Sequence, residues 1–225
     1  MLTLALDTAS GACQACVFDG TGGTLEGLRR EEIGRGHAER LMPVIDAALA
    51  EAGVSLDSIG RVAVTIGPGS FTGIRVGVAT ARGLALALGC EGVGVSCLEA
   101  IAADHAKNAP LMAVLDARRG EVYCQLFGAG DTWASRPAAR APGNAARLAL
   151  EANATLTGPA AGLVAEAGAE ALALIPMPEG PSIATIARLA AAMTPPFERP
   201  APLYLRGADA KPQTGFALAR AGAAT

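Results

Sequence analysis

The fold of this chain is decided by one stretch of its sequence, Gly67-Pro68-Gly69-Ser70-Phe71-Thr72-Gly73-Ile74-Arg75-Val76-Gly77. The apolar run 62–66 before it is rich in β-branched residues, which predicts a buried strand. The alanine- and leucine-rich segment that follows, as far as Leu88, has the length and composition of a helix. The glycines therefore lie on a strand-to-helix turn, where backbone N–H groups point at whatever lies over the helix start. Such a turn either binds a phosphate or lets another helix approach closely.

Composition limits the classes of protein to which the chain can belong. Of its 225 residues, 51% are hydrophobic but only 4% are aromatic, so the core is built mainly from small side chains. The net charge of −3 provides no basic field for nucleic acid, and we expect any contact with RNA to depend on a partner. No unbroken apolar segment reaches the ~18 residues of a membrane span, and the first residues alternate like a strand rather than a signal peptide. We therefore expect a cytoplasmic protein without membrane contact.

The cysteines and histidines form no recognisable metal-binding pattern. Cys13 and Cys16 have CxxC spacing, but they lie in a predicted strand, where positions three apart face opposite sides. We expect them to be small buried hydrophobic residues. His37 and His105 are the only histidines, and the sequence has no HExxH motif, so a catalytic zinc site lacks its ligands. Both histidines lie at predicted helix ends, where we expect exposed side chains.

The order of predicted elements repeats along the chain. The first hundred residues predict strands at 2–8, 12–18 and 25–32, a helix that begins near 40 and ends at Gly53, the strand 62–66, the long helix, and a strand at 92–95. The second half predicts paired strands at 111–116 and 122–127, then helices at 144–152, 160–167 and 183–193 that alternate with strands at 154–157 and 171–175. Two copies of one order indicate an α/β protein of two related lobes, 1–106 and 107–225. The proline-rich segment 195–202 is expected to be neither helix nor central strand.

A second candidate phosphate-binding segment, Asp7-Thr8-Ala9-Ser10, follows the first predicted strand. Its carboxylate and hydroxyls can hold a metal-bound phosphate, or they can cap a hairpin turn. The glycine turn itself is not a P-loop, because Thr72 and Gly73 stand where glycine and lysine are required, and it contains no GxSxG nucleophile elbow. We therefore consider Asp7, Thr8, Gly67 and Gly69 a vestigial phosphate site, and we assign no catalytic or metal-binding residue.

The long helix carries a stripe of small residues at four-residue intervals, Gly73, Gly77, Ala81 and Ala85. A stripe without side-chain bulk permits the closest approach of another element. One interpretation is that this stripe packs on the chain's own sheet. The other is that Ile74 and Val78 form a separate face for the sheet and leave the stripe for a partner. We favour the second interpretation, and we add Leu41 of the preceding helix to the predicted partner interface.

Together these segments resemble the TsaB family, the non-catalytic partners of TsaD in bacterial synthesis of threonylcarbamoyladenosine in tRNA. The segments that carry the resemblance are 4–9, 37–45, 67–88, 95–100, Asp116-Ala117-Arg118-Arg119-Gly120-Glu121-Val122-Tyr123 and Pro202-Leu203-Tyr204-Leu205-Arg206. The resemblance implies the actin/Hsp70-like (ASKHA) fold, with two related lobes that each contain a mixed sheet, a three-stranded meander and flanking helices. It also implies that the first lobe docks on TsaD, and we expect the C-terminal tail to pack back on that lobe.

Comparison with the catalytic relative TsaD favours a scaffold role for this chain. Where TsaD holds its metal with an HxxxH pair, this sequence has Cys97 and Ile101, and isoleucine cannot be a ligand. The second phosphate turn of TsaD is replaced here by 116–120, which has bulk and charge where backbone must approach phosphate. The resemblance implies a heterodimer with TsaD, association with the ATPase TsaE, homodimers when the partner is absent, and contact with tRNA only through the complex. It implies no resident cofactor, beyond weak or shared binding of ATP or ADP.

Two other functions stay open at this point. One is an ATP-binding phosphotransferase or hydrolase of the same fold, which the segments at Asp7 and Gly67 would serve. The other is a metallopeptidase, because TsaD-like proteins have been called glycoproteases.

Overall fold

The computed structural model describes residues 1–105, 108–129, 135–177 and 179–206, and within them it contains two five-stranded sheets. The first sheet and its helices consist of β1 (Leu2–Asp7), β2 (Ala12–Asp19), β3 (Thr24–Glu32), α1 (His37–Ala52), β4 (Ile59–Gly67), α2 (Phe71–Leu88), β5 (Glu91–Ser96) and α3 (Cys97–Ala103). The second consists of β6 (Leu111–Arg118), β7 (Glu121–Phe127), β8 (Ala138–Arg140), α4 (Pro142–Glu151), β9 (Thr155–Thr157), α5 (Ala161–Val164), β10 (Leu174–Ile175) and α6 (Ile183–Ala192).

The two sheets have the same topology. The strand order is β3-β2-β1-β4-β5 in the first and, read from the equivalent edge, β8-β7-β6-β9-β10 in the second. In each, three antiparallel strands form a meander, and two further strands run parallel to the first strand of that meander. The predicted duplication and the actin/Hsp70-like fold class are confirmed. The sequence analysis did not identify β8, and the predicted strand 171–175 is reduced to the two residues of β10.

Both faces of the first sheet are covered by helices, because its central strands are apolar on both sides. Leu4 and Leu6 of β1 face α1 and α2 in one hydrophobic cluster. Ala5, between them, faces the opposite side, where it joins Ile186 and Ala187 of α6 in a second cluster. All five side chains are fully buried. The sheet is therefore the middle layer of a three-layer lobe.

The last helix of each half packs on the sheet of the other half. Helix α6 lies on the first sheet, whereas Leu98 and Ile101 of α3 pack against Leu111 and Ala113 of the second sheet. The predicted division at residues 106 and 107 falls between the two sheets, whereas α6, which lies beyond that division in sequence, packs on the first sheet. The physical reason is that the outer face of the first sheet, including Val93, would otherwise be left in water.

The C-terminal tail also returns to the first lobe. The backbone N–H of Leu203 donates to the carbonyl of Ile66 at 2.8 Å, at the end of β4. Pro200 is buried and lies against Gly92 and Gly94 on the edge strand β5. Since proline has no N–H to offer, this part of the tail covers the strand edge without extending the sheet.

Helix α2 is the one described helix that has the length and apolar composition of a membrane span, with a mean hydropathy of 1.3 over 18 residues. Its setting is that of a core helix, because Gly77, Val78 and Ala81 are buried against the sheet. Arg75 and Arg82 point to solvent on its other side. The helix is therefore part of the three-layer lobe.

Replacing Arg61 with leucine is expected to lower the free energy of unfolding by about 2 kcal/mol, because buried carbonyls at the end of α6 would lose their donor. Arg61 is 6% exposed, and its Nη1 donates to the carbonyls of Ala190, Ala191 and Met193, the last two at 3.2 Å. Its guanidinium also lies 4.7 Å from the ring centroid of Phe197. Urea denaturation measures the change. The matched control is Arg40→Leu, which removes only an exposed ion pair with Glu31 and should have little effect; equal losses in the two variants would contradict this assignment.

Candidate functional site

The candidate site is a cleft of about 870 Å³ between the two lobes. Its floor and walls come from turns at the ends of strands: 9–12 after β1, 68–71 before α2, and 115–118 at the end of β6. In a duplicated fold the corresponding turns of the two halves face each other across such a cleft. The predicted phosphate-binding residues Asp7 and Gly69 both line it.

Asp7 lies at the bottom of this cleft with its carboxylate fully engaged by neutral donors. One oxygen accepts the backbone N–H of Ala9 at 2.9 Å and the hydroxyl of Thr65 at 2.6 Å. The other accepts the side-chain amide of Gln14 at 3.0 Å. Asp7 is 3% exposed, so these bonds replace most of its hydration. This geometry holds the β1–β2 turn together, as the turn-capping interpretation of Asp7 expects.

The other two predicted phosphate-site residues lie beneath the cleft wall. Thr8 is fully buried, and its hydroxyl donates to the carbonyl of Gly73 at 2.7 Å. Gly67 is also buried, with a φ of 98° that favours glycine. The N–H of Ser70 donates to the carbonyl of Ala9 at 2.7 Å and so ties the glycine turn to the end of β1. Of the four predicted residues, Asp7 and Gly69 therefore meet at the cleft, whereas Thr8 and Gly67 support it from behind.

The facing turn carries two arginines in the left-handed region. Arg118 has a φ of 63° and Arg119 a φ of 54°, at the tip of the β6–β7 hairpin. The N–H of Arg118 donates to the Asp116 carboxylate at 2.7 Å, and the Arg118 guanidinium lies 3.4 Å from the same group. This turn puts an extended charged side chain, 86% exposed, at the mouth of the cleft.

One part of the site was missed by the sequence analysis. The turn after β9 begins Gly158-Pro159, as the turn after β4 begins Gly67-Pro68, and Pro159 lines the cleft with Pro68. The two glycines have similar φ angles, 108° and 98°. The repeated dipeptide at equivalent places in the two halves is a sequence signal of the duplication, and it could have been found by aligning the halves on their predicted elements.

The cysteines lie where the sequence analysis expects small buried hydrophobic residues. Cys13 joins the cluster under α1 and α2, and Cys16 joins the cluster on the opposite face of the sheet. Cys97 borders the cleft but is 4% exposed, and Ile101 is fully buried, so neither side chain is presented to a metal. Within 1–105, 108–129, 135–177 and 179–206 there is no group of three or more His, Cys, Asp or Glu residues placed to hold an ion.

The exposed positions expected for the two histidines are wrong. His37 is 7% exposed, and its Nε2 lies 3.1 Å from the carbonyl of Ser10 and 3.2 Å from that of Ala12. His105 is half-buried, with its Nε2 2.9 Å from the hydroxyl of Thr157. Each ring nitrogen lies within hydrogen-bonding distance of polar atoms at the end of a neighbouring strand. Both rings therefore stabilise local structure.

The native thiols are expected to resist alkylation and disulfide exchange at pH 8. Burial raises the pKa of Cys13 to about 11 and that of Cys16 to about 12, and it also raises the pKa of Cys90, Cys97 and Cys124. The thiolate is the reactive form of cysteine. Because pH 8 lies below the raised pKa of these thiols, only a small fraction of each is thiolate in the folded chain. A thiol-reactive chromophore should label at most the half-buried Cys90 in the native chain and all five cysteines in guanidinium chloride. Rapid labelling of two or more native thiols would contradict this placement.

The predicted partner interface on the small-residue stripe is wrong, because the structure buries that stripe in the chain's own core. Gly73, Gly77, Ala81 and Ala85 all face the first sheet, and Leu41 of α1 is 1% exposed in the same cluster. A Cβ built on Gly73 would lie 1.9 Å from the carbonyl oxygen of Thr8. The segment that approaches the stripe closely is the end of β1, at Thr8. The stripe therefore packs on the chain's own sheet, as the first of the two interpretations stated.

A different face of α2 is left uncovered. Thr72, Ala79, Gly83 and Leu86 are exposed on the side away from the sheet, and Leu86 is 83% exposed. A Cβ on Gly83 would meet nothing within 4 Å. On α1, which covers the same side of the sheet, Met42 is 43% exposed. We call Met42, Thr72, Ala79, Gly83 and Leu86 the outer face.

Comparison with known proteins agrees with this architecture. Residues 24–203 match the family model described as TsaD: tRNA N6-adenosine threonylcarbamoyltransferase. The chain is 37% identical over 212 residues to an uncharacterized protein of Mycobacterium tuberculosis, and this similarity covers 93% of each chain. It is 40% identical over 127 residues to the tRNA threonylcarbamoyladenosine biosynthesis protein TsaB of Escherichia coli, over 55% of this chain and 53% of that protein.

Solved structures give the same result for the fold. YeaZ from Pseudomonas aeruginosa superposes with a TM-score of 0.71 at 28% identity, over 91% of this chain and 99% of that one. Component A of (R)-2-hydroxyglutaryl-CoA dehydratase from Acidaminococcus fermentans superposes with a TM-score of 0.52 at 10% identity, over 85% and 98% of the two chains. The second likeness concerns the fold alone.

Proposed function

Since the chain belongs to the TsaB family, we propose that it is a non-catalytic scaffold subunit in the formation of N6-threonylcarbamoyladenosine at adenosine 37 of tRNA. In this role it forms a heterodimer with TsaD, acts with the ATPase TsaE, and works in the cytoplasm. Relatives named tRNA threonylcarbamoyladenosine biosynthesis protein in Escherichia coli, Haemophilus influenzae and Bacillus subtilis support the pathway. The match to a transferase family model supports a partner of related fold.

The observation that carries the docking role is the outer face of α2. Small residues at 79 and 83 leave the helix backbone accessible, and Leu86 projects from the same side. Helices approach to about 8–10 Å, and the distance is shortest where the contact residues are small. A related lobe of TsaD that presents its own helices to this face would bury Leu86 and Met42. The same face serves a second copy of the chain when TsaD is absent.

The non-catalytic role is supported by how the cleft uses its polar groups. The three hydrogen bonds to Asp7 come from the chain itself, and the carboxylate is therefore committed to the fold. Ile101 occupies the second position of the pair that holds metal in TsaD, and it is buried in the core. The turn at 118–120 brings two arginine side chains to the place of a second phosphate loop, and glycine stands only at 120. We propose that ATP or ADP binds only weakly, or at an interface shared with a partner.

A nucleotide-dependent phosphotransferase or hydrolase is the second candidate function. It is favoured by the interlobe cleft, whose volume of about 870 Å³ is sufficient for a nucleotide. Tight binding of ATP by the isolated chain, lost in Asp7→Ala but kept in Ser58→Ala on a distant exposed turn, would support it over the scaffold role.

A metallopeptidase is the third candidate function. It is favoured by a similar solved structure from Pseudomonas aeruginosa, which is that of an uncharacterized protein with similarity to peptidase YEAZ. Stoichiometric zinc or iron in the purified chain would support that activity.

Reconstituted threonylcarbamoyl transfer tests the proposal. Purified TsaD, TsaE, tRNA, ATP and an activated threonylcarbamoyl donor are combined with and without this chain, and the modified nucleoside is quantified by mass spectrometry. We expect modification only when the chain is present, and none from the chain with tRNA and the donor alone. Equal modification without the chain, or modification by the chain alone, would contradict the scaffold role.

A further inference from the structure

An exposed cluster of two aromatic rings and one guanidinium lies at the start of α2. Phe71 is 56% exposed and Tyr204 of the tail is 48% exposed, and their ring centroids are 5.5 Å apart. The Arg75 guanidinium lies 3.8 Å from the Phe71 ring centroid, and its Nε–H donates to the Tyr204 hydroxyl at 2.8 Å. The three side chains hold one another in place while they remain accessible to solvent. Because tyrosine and arginine dominate binding hot spots, this preorganised cluster suggests a recognition role.

The tail brings this cluster next to the β6–β7 turn. Arg206, two residues after Tyr204, donates to the carbonyl of Arg118 at 3.2 Å and pairs with Glu121. Phe71 and Arg118 line the same cleft. One continuous surface therefore joins the rings to the arginine turn. We call its residues, Phe71, Arg75, Arg118, Arg119 and Tyr204, the arginine–aromatic rim.

The backbone of the turn is unfavourable for the residues that it carries. Arg118, Arg119 and Gly120 all have positive φ, and because Arg118 pairs with Glu121, the two-residue loop is Arg119-Gly120. Two consecutive positive φ angles in such a loop are the geometry of a type I′ turn, for which Asn-Gly is the preferred sequence. Arginine in the left-handed region is disfavoured because its Cβ crowds the backbone. The Arg118 side chain is 86% exposed and so gains little packing within the chain in return. Residues kept in strained conformations occur most often at functional sites.

The charge on the rim differs in sign from the charge of the whole chain. Four guanidinium groups, those of Arg75, Arg118, Arg119 and Arg206, lie around it. The carboxylates beside them are Asp116, next to Arg118, and Glu121, paired with Arg206. Glu32 and Glu179, which also line the cleft, pair with Arg30. The rim therefore has a local excess of positive charge on a chain whose net charge is −3. Exposed rings next to guanidinium groups fit single-stranded RNA, whose bases stack on aromatic faces while its phosphates pair with arginine. An acidic peptide would use the guanidinium groups but would have less use for the rings.

We propose that the arginine–aromatic rim contacts an unpaired segment of the tRNA when the chain is docked on TsaD. This inference rests on the proposed function, and it replaces the expectation that tRNA is reached only through other subunits. Bases stack on Phe71 and Tyr204, and Arg118 and Arg119 pair with the adjacent phosphates. Docking on TsaD supplies the affinity that a net-negative chain lacks by itself.

The double variant Arg118→Asn/Arg119→Asn tests this surface without weakening the fold. It gives the loop 119–120 its preferred Asn-Gly sequence and puts asparagine, which tolerates the left-handed region, at 118, so the melting temperature should stay the same or rise. The assembled complex with TsaD is titrated against a fluorescent anticodon stem-loop RNA at several salt concentrations. We expect about a tenfold loss of affinity, and a salt slope smaller by about 1.4, since each lost phosphate contact on single-stranded RNA removes about 0.7. The control is Arg147→Ser, an exposed arginine on α4, which should leave both values unchanged.

The outcomes separate this inference from the proposed function. If the variant still co-elutes with TsaD but binds RNA with wild-type affinity and slope, the rim does not contact tRNA, and the scaffold role stands. If the variant loses TsaE instead while RNA binding is unchanged, the rim is a protein interface, and the inference is also overturned. If the wild-type chain does not bind TsaD at all, the proposed function fails and the inference fails with it.

Discussion

Replacing Gly73 with alanine is expected to lower the free energy of unfolding by about 3 kcal/mol, which corresponds to a melting temperature lower by about 10 °C for a chain of this size. The new Cβ would lie 1.9 Å from the carbonyl oxygen of Thr8 and 3.2 Å from the Ser70 hydroxyl. Backbone cannot move aside as a flexible side chain can, so α2 would have to shift away from β1. The hydrogen bond from Thr8 to the carbonyl of Gly73, 2.7 Å long, would be lost with that shift.

The matched control is Gly83→Ala on the exposed side of the same helix. A Cβ there meets no atom within 4 Å, so alanine only improves helix propensity and should stabilise the chain by up to about 1 kcal/mol. Thermal unfolding followed by circular dichroism measures both variants. If Gly73→Ala were tolerated and Gly83→Ala were destabilising, the helix would be facing the sheet with its other side, and the assignment of its faces would be wrong.

Replacing Leu86 with glutamate is expected to weaken binding to TsaD at least about 100-fold, a loss of about 2.7 kcal/mol. Leu86 is 83% exposed in the isolated chain, so the substitution should leave its stability nearly unchanged. In the proposed heterodimer the same side chain is buried, and glutamate would bring an unpaired charge into an apolar contact. Isothermal titration of TsaD with each form of the chain gives the change in Kd.

Leu150→Glu is the control for this substitution. Leu150 is a 44% exposed leucine at the end of α4 in the second lobe, and nothing in the proposed interface involves it. It should bind TsaD as the wild type does. A loss of binding in Leu150→Glu, with Leu86→Glu unaffected, would move the interface to the second lobe.

The fold was largely predictable because the order of elements limits the sheet topology. The meander at 2–32 and the parallel strands after it allow few arrangements, and the same order in the second half predicted a second sheet of the same kind. The position of α6 could not be predicted in this way. The apolar face of α6, with Ile183 and Ile186, could cover either sheet. It packs on the first sheet because one face of that sheet is otherwise uncovered, and this is apparent only in three dimensions.

The faces of α2 show why part of the site prediction failed. Positions four apart drift by about 40° around a helix, so Gly73 and Gly77 lie on the same arc as Ile74 and Val78 rather than on a separate face. That single arc packs on the sheet. The exposed side was nevertheless marked in the sequence by Arg75 and Arg82, which flank Ala79. Asp7 and Gly69 both line the cleft, because strand ends and helix starts meet at one edge of a sheet.

The most direct test of the central claim is the mass of the species formed when equimolar chain and TsaD are mixed and examined by native mass spectrometry. The account predicts one dominant species with the summed mass of one copy of each protein. It further predicts that this species is lost with Leu86→Glu and kept with Leu150→Glu. Separate masses of TsaD and of this chain at micromolar concentration would contradict the account.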